Sequence, residues 1–238
     1  MKKLNLLRTT LIVLAAFSSC KKEITTARLN GGSINVTNAI IGAPSLNMMS
    51  PNAVASASNI ISTNNFAIMP VKSGENSLSF GLPPVATTAT AAAIPATVYY
   101  TQNLTMENIG NYSLFLTGTS LSAIDNVLIK ETYTRMYTDS VCGVRFINLA
   151  PGSNPISVNL KGSSNGSEVP SLAYKAYSDF VKYAAKSVNA TYVFEFRDAA
   201  TGNLIKSYTL KTPYFHNVTL VLRGIVGGAN GIVLDNDY

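Results

Sequence analysis

Apolar and polar positions alternate through the second half of this chain. Tyr192, Phe194 and Phe196 are interleaved with Val193, Glu195 and Arg197. A period of two places the three aromatics on one face of a strand. Asp198-Ala199-Ala200-Thr201-Gly202-Asn203 supplies the Asp, Gly and Asn of a turn, and Leu204 to Leu210 predicts the returning strand. Val218, Leu220 and Leu222 alternate again before Gly224. Turn signals recur roughly every 8 to 12 residues, the rhythm of a β-sandwich.

The pattern occurs twice. Val36-Thr37-Asn38 corresponds to Phe146-Ile147-Asn148, and Leu46-Asn47-Met48 to Val158-Asn159-Leu160. Phe66 with Val71-Lys72-Ser73 corresponds to Phe180 with Ala185-Lys186-Ser187, and Leu78 and Phe80 to Tyr192 and Phe194. Leu104, Asn111, Leu114, Leu116 and Gly118 correspond to Leu210, Asn217, Leu220, Leu222 and Gly224. Conserved order with small insertions is the mark of duplication, and copy one carries about eight extra residues between Phe80 and Leu104. The Thr/Ala-rich run from Val85 to Thr97 falls there and predicts a long loop.

Composition agrees with strands. Charged residues are 13% of the chain, while Thr, Ser, Asn, Val, Ile and Tyr abound. The expected fold is all-β: two tandem immunoglobulin-like or transthyretin-like β-sandwich domains after an amino-terminal leader. The expected boundaries are a signal over 1–19, a tether over 20–30, copy one over 31–130, a linker over 131–142 and copy two over 143–238. Domains of this size can each bury a core.

The amino terminus gives an address. Lys2, Lys3 and Arg8 precede a short apolar run from Leu11 to Phe17, then Ser18-Ser19-Cys20 and Lys21-Lys22. This is the charged, apolar, small-residue order of a secretory signal, too short for a spanning helix. A signal ending at a cysteine resembles the lipobox of bacterial lipoproteins. The resemblance implies lipidation of Cys20, cleavage before it and acylation of the new terminus. Two or more acyl chains anchor stably where one binds only marginally. Lys21 stands where inner-membrane retention would want Asp, so the sorting rule implies the outer membrane, facing either the periplasm or the outside. Three of the 18 Lys and Arg residues belong to the leader, against 12 Asp and Glu in all. The remaining excess is small and unclustered, which argues against a nucleic-acid partner.

The run Val144-Arg145-Phe146-Ile147-Asn148-Leu149-Ala150-Pro151 resembles the opening of the family called domain of unknown function 4397. Leu172-Ala173-Tyr174 through Phe180, then Tyr192 to Leu204, resemble its middle hairpins. The resemblance covers about Val144 to Gly224, and reaches copy one only through the repeat. It implies an extracytoplasmic β-sandwich module, often in tandem and lipid-anchored, with no known activity. Where the family often carries Asp-Ala-Pro, Gly152-Ser153-Asn154-Pro155 stands here.

Candidate chemistry is sparse. His216 is the only histidine, so no triad base or multi-histidine metal site is expected elsewhere. Cys142 has no nearby histidine, and a half-buried place just before the first strand of copy two is expected for it. With Cys20 lipidated it has no disulfide partner. Asp235 and Asp237 have the spacing of oxygen ligands, but a calcium site needs six or more oxygens and a solvated tail is expected. Tyr174, Tyr177, Phe180 and Tyr183 recur every third residue and are the candidate ligand-contacting aromatics, since such rings can stack on sugars. Asp139-Ser140-Val141 resembles an O-glycosylation signal of one Gram-negative phylum, placing a glycan on Ser140 at a junction that few contacts should cross. The expected function is that of a lipid-anchored, non-catalytic envelope module, binding or structural. It would have no catalytic residues, no metal and no cofactor. Expected partners are the membrane through the N-terminal lipid, and envelope proteins or glycans. An accessory glycan binder is the alternative; an envelope hydrolase lacks the paired carboxylates or activated nucleophile its chemistry needs.

Overall fold

The computed structural model describes residues 30–49, 60–83, 96–132, 140–185, 191–212, 215–225, 227–228 and 231–237. These residues are all-β and contain no helix. Copy one runs through β1 (Gly31–Asn38), β2 (Leu46–Met49), β3 (Ile60–Ile61), β4 (Phe66–Lys72), β5 (Gly74–Leu82), β6 (Thr97–Met106), β7 (Asn111–Ser120) and β8 (Ala123–Lys130). Copy two runs through β9 (Val141–Leu149), β10 (Ile156–Leu160), β11 (Val169–Leu172), β12 (Val181–Ala184), β13 (Thr191–Asp198), β14 (Leu204–Lys211), β15 (Asn217–Arg223) and β16 (Gly231–Asp237).

Each copy is a sandwich of two four-stranded sheets with one topology. Copy one pairs the order β4-β1-β7-β8 with β3-β2-β5-β6; copy two pairs β12-β9-β15-β16 with β11-β10-β13-β14. In each, the first strand runs parallel to the seventh, β1 with β7 and β9 with β15, and the other pairings are antiparallel. An immunoglobulin sandwich divides its strands differently, ABED against CFG. Strand order therefore selects the transthyretin-like type from the two expected.

Register repeats as well as order. Val36 lies opposite Leu114, and Phe146 opposite Leu220; Met48 lies opposite Phe80, and Leu160 opposite Phe194. Gly118 and Gly224, matched in sequence, both take positive φ, 142° and 93°. One correspondence needs correction. Phe80 faces Tyr100 and Phe194 faces Tyr208, so Leu210 takes the place of Gln102 rather than of Leu104. A two-residue slip leaves every side chain on its face, because strand periodicity is two.

Two cores fill the sandwiches. Copy one buries Ile34, Val36, Met48, Leu78, Phe80, Leu114 and Leu116 among others. Copy two buries Phe146, Phe194, Phe196, Leu220 and Leu222, with Phe146 edge-on to Phe194 at 5.1 Å and to Phe196 at 6.0 Å. Such aromatic pairs add to what burial alone contributes.

A third core lies between the copies. Ala39, Phe115, Val127 and Ile129 of copy one form one apolar cluster with Ile147, Leu149 and Val221 of copy two. The outer face of the β4-β1-β7-β8 sheet thus packs on that of the β12-β9-β15-β16 sheet, and the molecule is four sheets deep. The inner two sheets are covered on both faces. Their central strands, β1 and β7 in copy one and β9 and β15 in copy two, are buried over most of their length, whereas β5 and β6 of an outer sheet alternate. The expectation of a junction crossed by few contacts is corrected here: the local sequence around 131–142 reads as a linker, but the strands flanking it carry the mating faces.

Candidate functional site

The aromatic stretch of copy two is tied down along β9. Lys175 N–H donates to the Asn148 carbonyl at 2.7 Å and Asn148 N–H to the Ala176 carbonyl at 3.1 Å. Ser178 N–H donates to the Phe146 carbonyl at 2.9 Å, and its hydroxyl accepts from Phe146 N–H at 3.0 Å. Ile147 pairs with Tyr177, while Val144 pairs with Val181. Three steps along β9 thus face four along its partner, an irregularity of the bulge kind. It sets Tyr177 and Phe180 on the outward side and Tyr183 on the inward side, which accounts for the threefold spacing.

The four candidate aromatics therefore separate. Tyr183 lies in the core of copy two at 6% exposure, edge-on to Phe194, with its hydroxyl donating to Glu168. Burial, then the Glu168 carboxylate, pushes its phenol well above the usual range. Tyr174 is half-buried between the copies beside Thr117, Asp125 and Lys175, and burial raises its phenol too. Tyr177 and Phe180 stand together at the opposite rim of the interface.

They stand there around Arg145. Its guanidinium carbon is 4.5 Å from the Phe180 ring centre and 5.9 Å from those of Tyr177 and Phe115. Nη1 and Nη2 donate to Glu131 at 3.0 and 2.9 Å, and Nε donates to the Thr219 hydroxyl at 3.0 Å. Planar, bidentate pairing of this kind is what Arg does and Lys cannot. A cleft of about 290 Å³ opens beside the pair, lined by Tyr177, Phe180, Ser178, Asp179, Thr132 and Glu131 among others. Tyr177 is 45% exposed and offers its ring to that space. A second hollow, about 430 Å³, lies in copy one against Ile41, Tyr99 and Leu121 and holds no charged group.

Glu131 and Arg145 were not legible as partners, one assigned to a linker and the other to an opening strand. The available signal was Arg145, the one charged residue between Val144 and Leu149, where Asn148 is the other polar position. Across the interface from them, Lys175 Nζ meets both Asp125 oxygens at 2.8 and 2.9 Å, and the Thr117 hydroxyl donates to the Leu149 carbonyl at 2.9 Å.

The remaining candidates disperse. Cys142 is not half-buried ahead of the strand but fully buried within β9, and burial alone pushes its thiol up to about 12. That places it on the inert side of cysteine chemistry. His216 is exposed, its carbonyl accepting from Gly143 N–H at 3.1 Å. Asp235 and Asp237 belong to β16 rather than to a tail. No group of three or more potential metal-ligating side chains occurs among the described residues. Ser140 is half-buried one residue before β9, with its carbonyl accepting from Ala185 N–H at 2.8 Å. Cys20, Asp139 and nearly all of the Val85–Thr97 run lie outside the described residues.

No family model matches the chain, and no curated protein matches it. Among solved structures, a streptococcal virulence factor described for alpha-glucan binding is 10% identical, covering 81% of this chain and 93% of its own, with a TM-score of 0.26. A family 26 carbohydrate-binding module from Eubacterium rectale Amy13K, solved with maltoheptaose, is 12% identical, covering 85% and 95%, with a TM-score of 0.27. Family 41 carbohydrate-binding modules from streptococcal virulence factors are 11% identical, covering 81% and 93%, with a TM-score of 0.24. Superpositions of that size fix neither topology nor ligand.

Proposed function

We propose that this chain is a lipid-anchored, non-catalytic envelope module that binds its ligand at the cleft between its two sandwiches. The observation that carries the reading is the placement of Tyr177: a ring 45% exposed, on a segment pinned to β9, beside Ser178 and Asp179. A rigid aromatic surface costs little entropy to present, and neighbouring hydroxyl and carboxylate groups orient what stacks on it. A glycan suits that combination, with a ring face for Tyr177 and hydroxyls for the polar rim. Arg145 does not compete for ligand, since Glu131, Thr219 and Phe180 already occupy it.

The tether follows from the leader. Cys20 carries the lipid and becomes the mature amino terminus, the membrane is the first partner, and the outer membrane is the destination. The kinship to the domain of unknown function 4397 and a glycan on Ser140 belong to the same proposal.

The test is retention on a panel of immobilised envelope and storage glycans, with Tyr177→Ala beside the wild type. Loss of retention at least tenfold, with unchanged melting, supports the cleft. If the wild type is retained by no glycan, the glycan reading falls and a structural role remains. Separately, Cys20→Ala should release the protein from membranes; normal retention of that variant removes the lipid anchor from the proposal.

A further inference from the structure

Among the described residues, every charged group lining the cleft beside Tyr177 is paired with an opposite charge except one. Arg145 is clasped by Glu131 through two hydrogen bonds, and both side chains are almost fully buried. Lys130 Nζ lies 2.5 Å from a Glu107 oxygen, an exposed pair whose charges cancel at the distance of a ligand. Asp179 remains. It is exposed at the cleft wall, and its carboxylate makes no hydrogen bond or ion pair among the described residues. Lys182, three residues along the chain, is not part of the lining.

The backbone that carries this carboxylate is held in place. The Ser178 hydroxyl donates to the Asp179 carbonyl at 2.8 Å while accepting from Phe146 N–H at 3.0 Å. On the other side, the Phe180 ring packs on the Arg145 guanidinium, 4.5 Å from its centre. Both neighbours of Asp179 are thus engaged with β9, and the proton of Ser178 is already used within the protein. What this wall offers a ligand is an acceptor, since an ionised carboxylate has lone pairs and no proton to give. Beside it stands Tyr177, 45% exposed, and an aromatic face attracts positive charge as well as apolar surface.

We infer, resting on the glycan reading of this cleft, that its ligand is a glycan with free, protonated amino groups, for which Asp179 is the specificity-determining residue. An ammonium group brings three donors and a positive charge to the carboxylate, and the sugar ring that bears it stacks on Tyr177. A neutral sugar offers hydroxyls to the same oxygens but gains nothing from their charge. An acidic sugar meets Asp179 as a like charge and finds both cations of the lining already paired. The rest of the molecule does not produce this preference. The chain has 18 Lys and Arg against 12 Asp and Glu, so its general field favours acidic ligands, and selection for an amine has to come from the cleft itself.

The experiment is calorimetric titration of the full mature chain in detergent with three tetrasaccharides at mildly acid pH. They are a glucosamine oligomer with free amines, the same oligomer fully N-acetylated, and a galacturonate oligomer. The wild type should bind the free amine about fivefold more tightly than the acetylated form, the size that an exposed ion pair and a cation–ring contact reach together. It should bind the acidic oligomer more weakly than either. Asp179→Asn should bind the free-amine and acetylated forms alike, with the acetylated form held as by the wild type and melting unchanged. Glu75→Gln removes the same charge from an exposed position on β5, outside the cleft, and should keep the preference. Should Asp179→Asn alter melting, Asp179→Ser repeats the test. Equal binding of the free-amine and acetylated forms overturns the inference, as does a preference that survives Asp179→Asn or is lost equally with Glu75→Gln. Those outcomes leave the glycan reading standing where Tyr177→Ala abolishes binding of the acetylated form, so the two fail separately. A wild type that binds none of the three sugars, or binds only oligolysine, overturns the inference and the glycan reading together.

Discussion

Arg145 and Glu131 meet through two parallel hydrogen bonds, 3.0 and 2.9 Å long, with side chains only 3% and 4% exposed. The glutamate lies one residue beyond β8 and the arginine inside β9, so the pair spans the two copies. Its surroundings complete the desolvation: Phe115 from copy one and Phe180 from copy two flank the guanidinium.

Removing one partner leaves a buried charge without compensation, which typically costs about 3–5 kcal/mol. Glu131→Ala should therefore lower stability by that order in chemical denaturation. The double variant Glu131→Ala with Arg145→Met should recover a large part of the loss, because the stranded charge is gone. A Glu131→Ala protein as stable as wild type would mean the pair is not buried in solution.

Phe115 is the largest side chain of the core shared by the copies and is fully buried. Truncating a buried Phe to Ala costs about 3–5 kcal/mol. Calorimetry of the wild type should show one cooperative transition, and Phe115→Ala should separate it into two as the sandwiches uncouple. Phe194→Ala, placed in the core of copy two alone, should instead lower the melting of that copy.

Asp125 is held below the ordinary aspartate range, first by its hydrogen bonds from Lys175, against a smaller desolvation effect. A carboxyl lowered in the folded state contributes stability that is present above its unfolded value, about 3.9, and lost as pH falls through the lower folded value. Both side chains are more than a third exposed, 46% for Asp125 and 38% for Lys175, so the contribution is small and sensitive to salt. The stability difference between wild type and Asp125→Asn should therefore be visible at neutral pH and vanish at strongly acid pH. A difference independent of pH would place the effect of Asp125 elsewhere.

Cys142 is fully buried with its thiol pushed up to about 12. Alkylating reagents at mildly alkaline pH should leave it unmodified in the native protein and label it fully in denaturant. Mass spectrometry of the Cys142 peptide measures both states. Fast native labelling would show that β9 opens readily.

The sequence by itself determined the duplication, the strand character and the inward faces. Phe194, Phe196, Leu220 and Leu222 could be placed in a core because alternation within a strand depends only on which side neighbours face. Val36 with Leu114 and Phe146 with Leu220 stand in equivalent registers, as the repeat implied. The turn at Asp198 was equally legible, since the Asp198 carboxylate accepts from Ala200 and Thr201 N–H within the turn. Tertiary structure alone decided what the outward faces do. Phe115, Ile147 and Val221 point away from their own sandwiches, and nothing local names the surface they meet. Only the adjacent apolar residues Leu114-Phe115-Leu116 of β7 and Phe146-Ile147 of β9 hinted that those strands are buried on both sides. The same holds for Tyr174, Tyr177, Phe180 and Tyr183. Their even spacing suggested one surface, but an irregular pairing with β9 and the presence of copy one sent one ring into a core, one into the interface and two to the cleft. Burial of that kind depends on docking between distant segments, and short-range patterning cannot encode it.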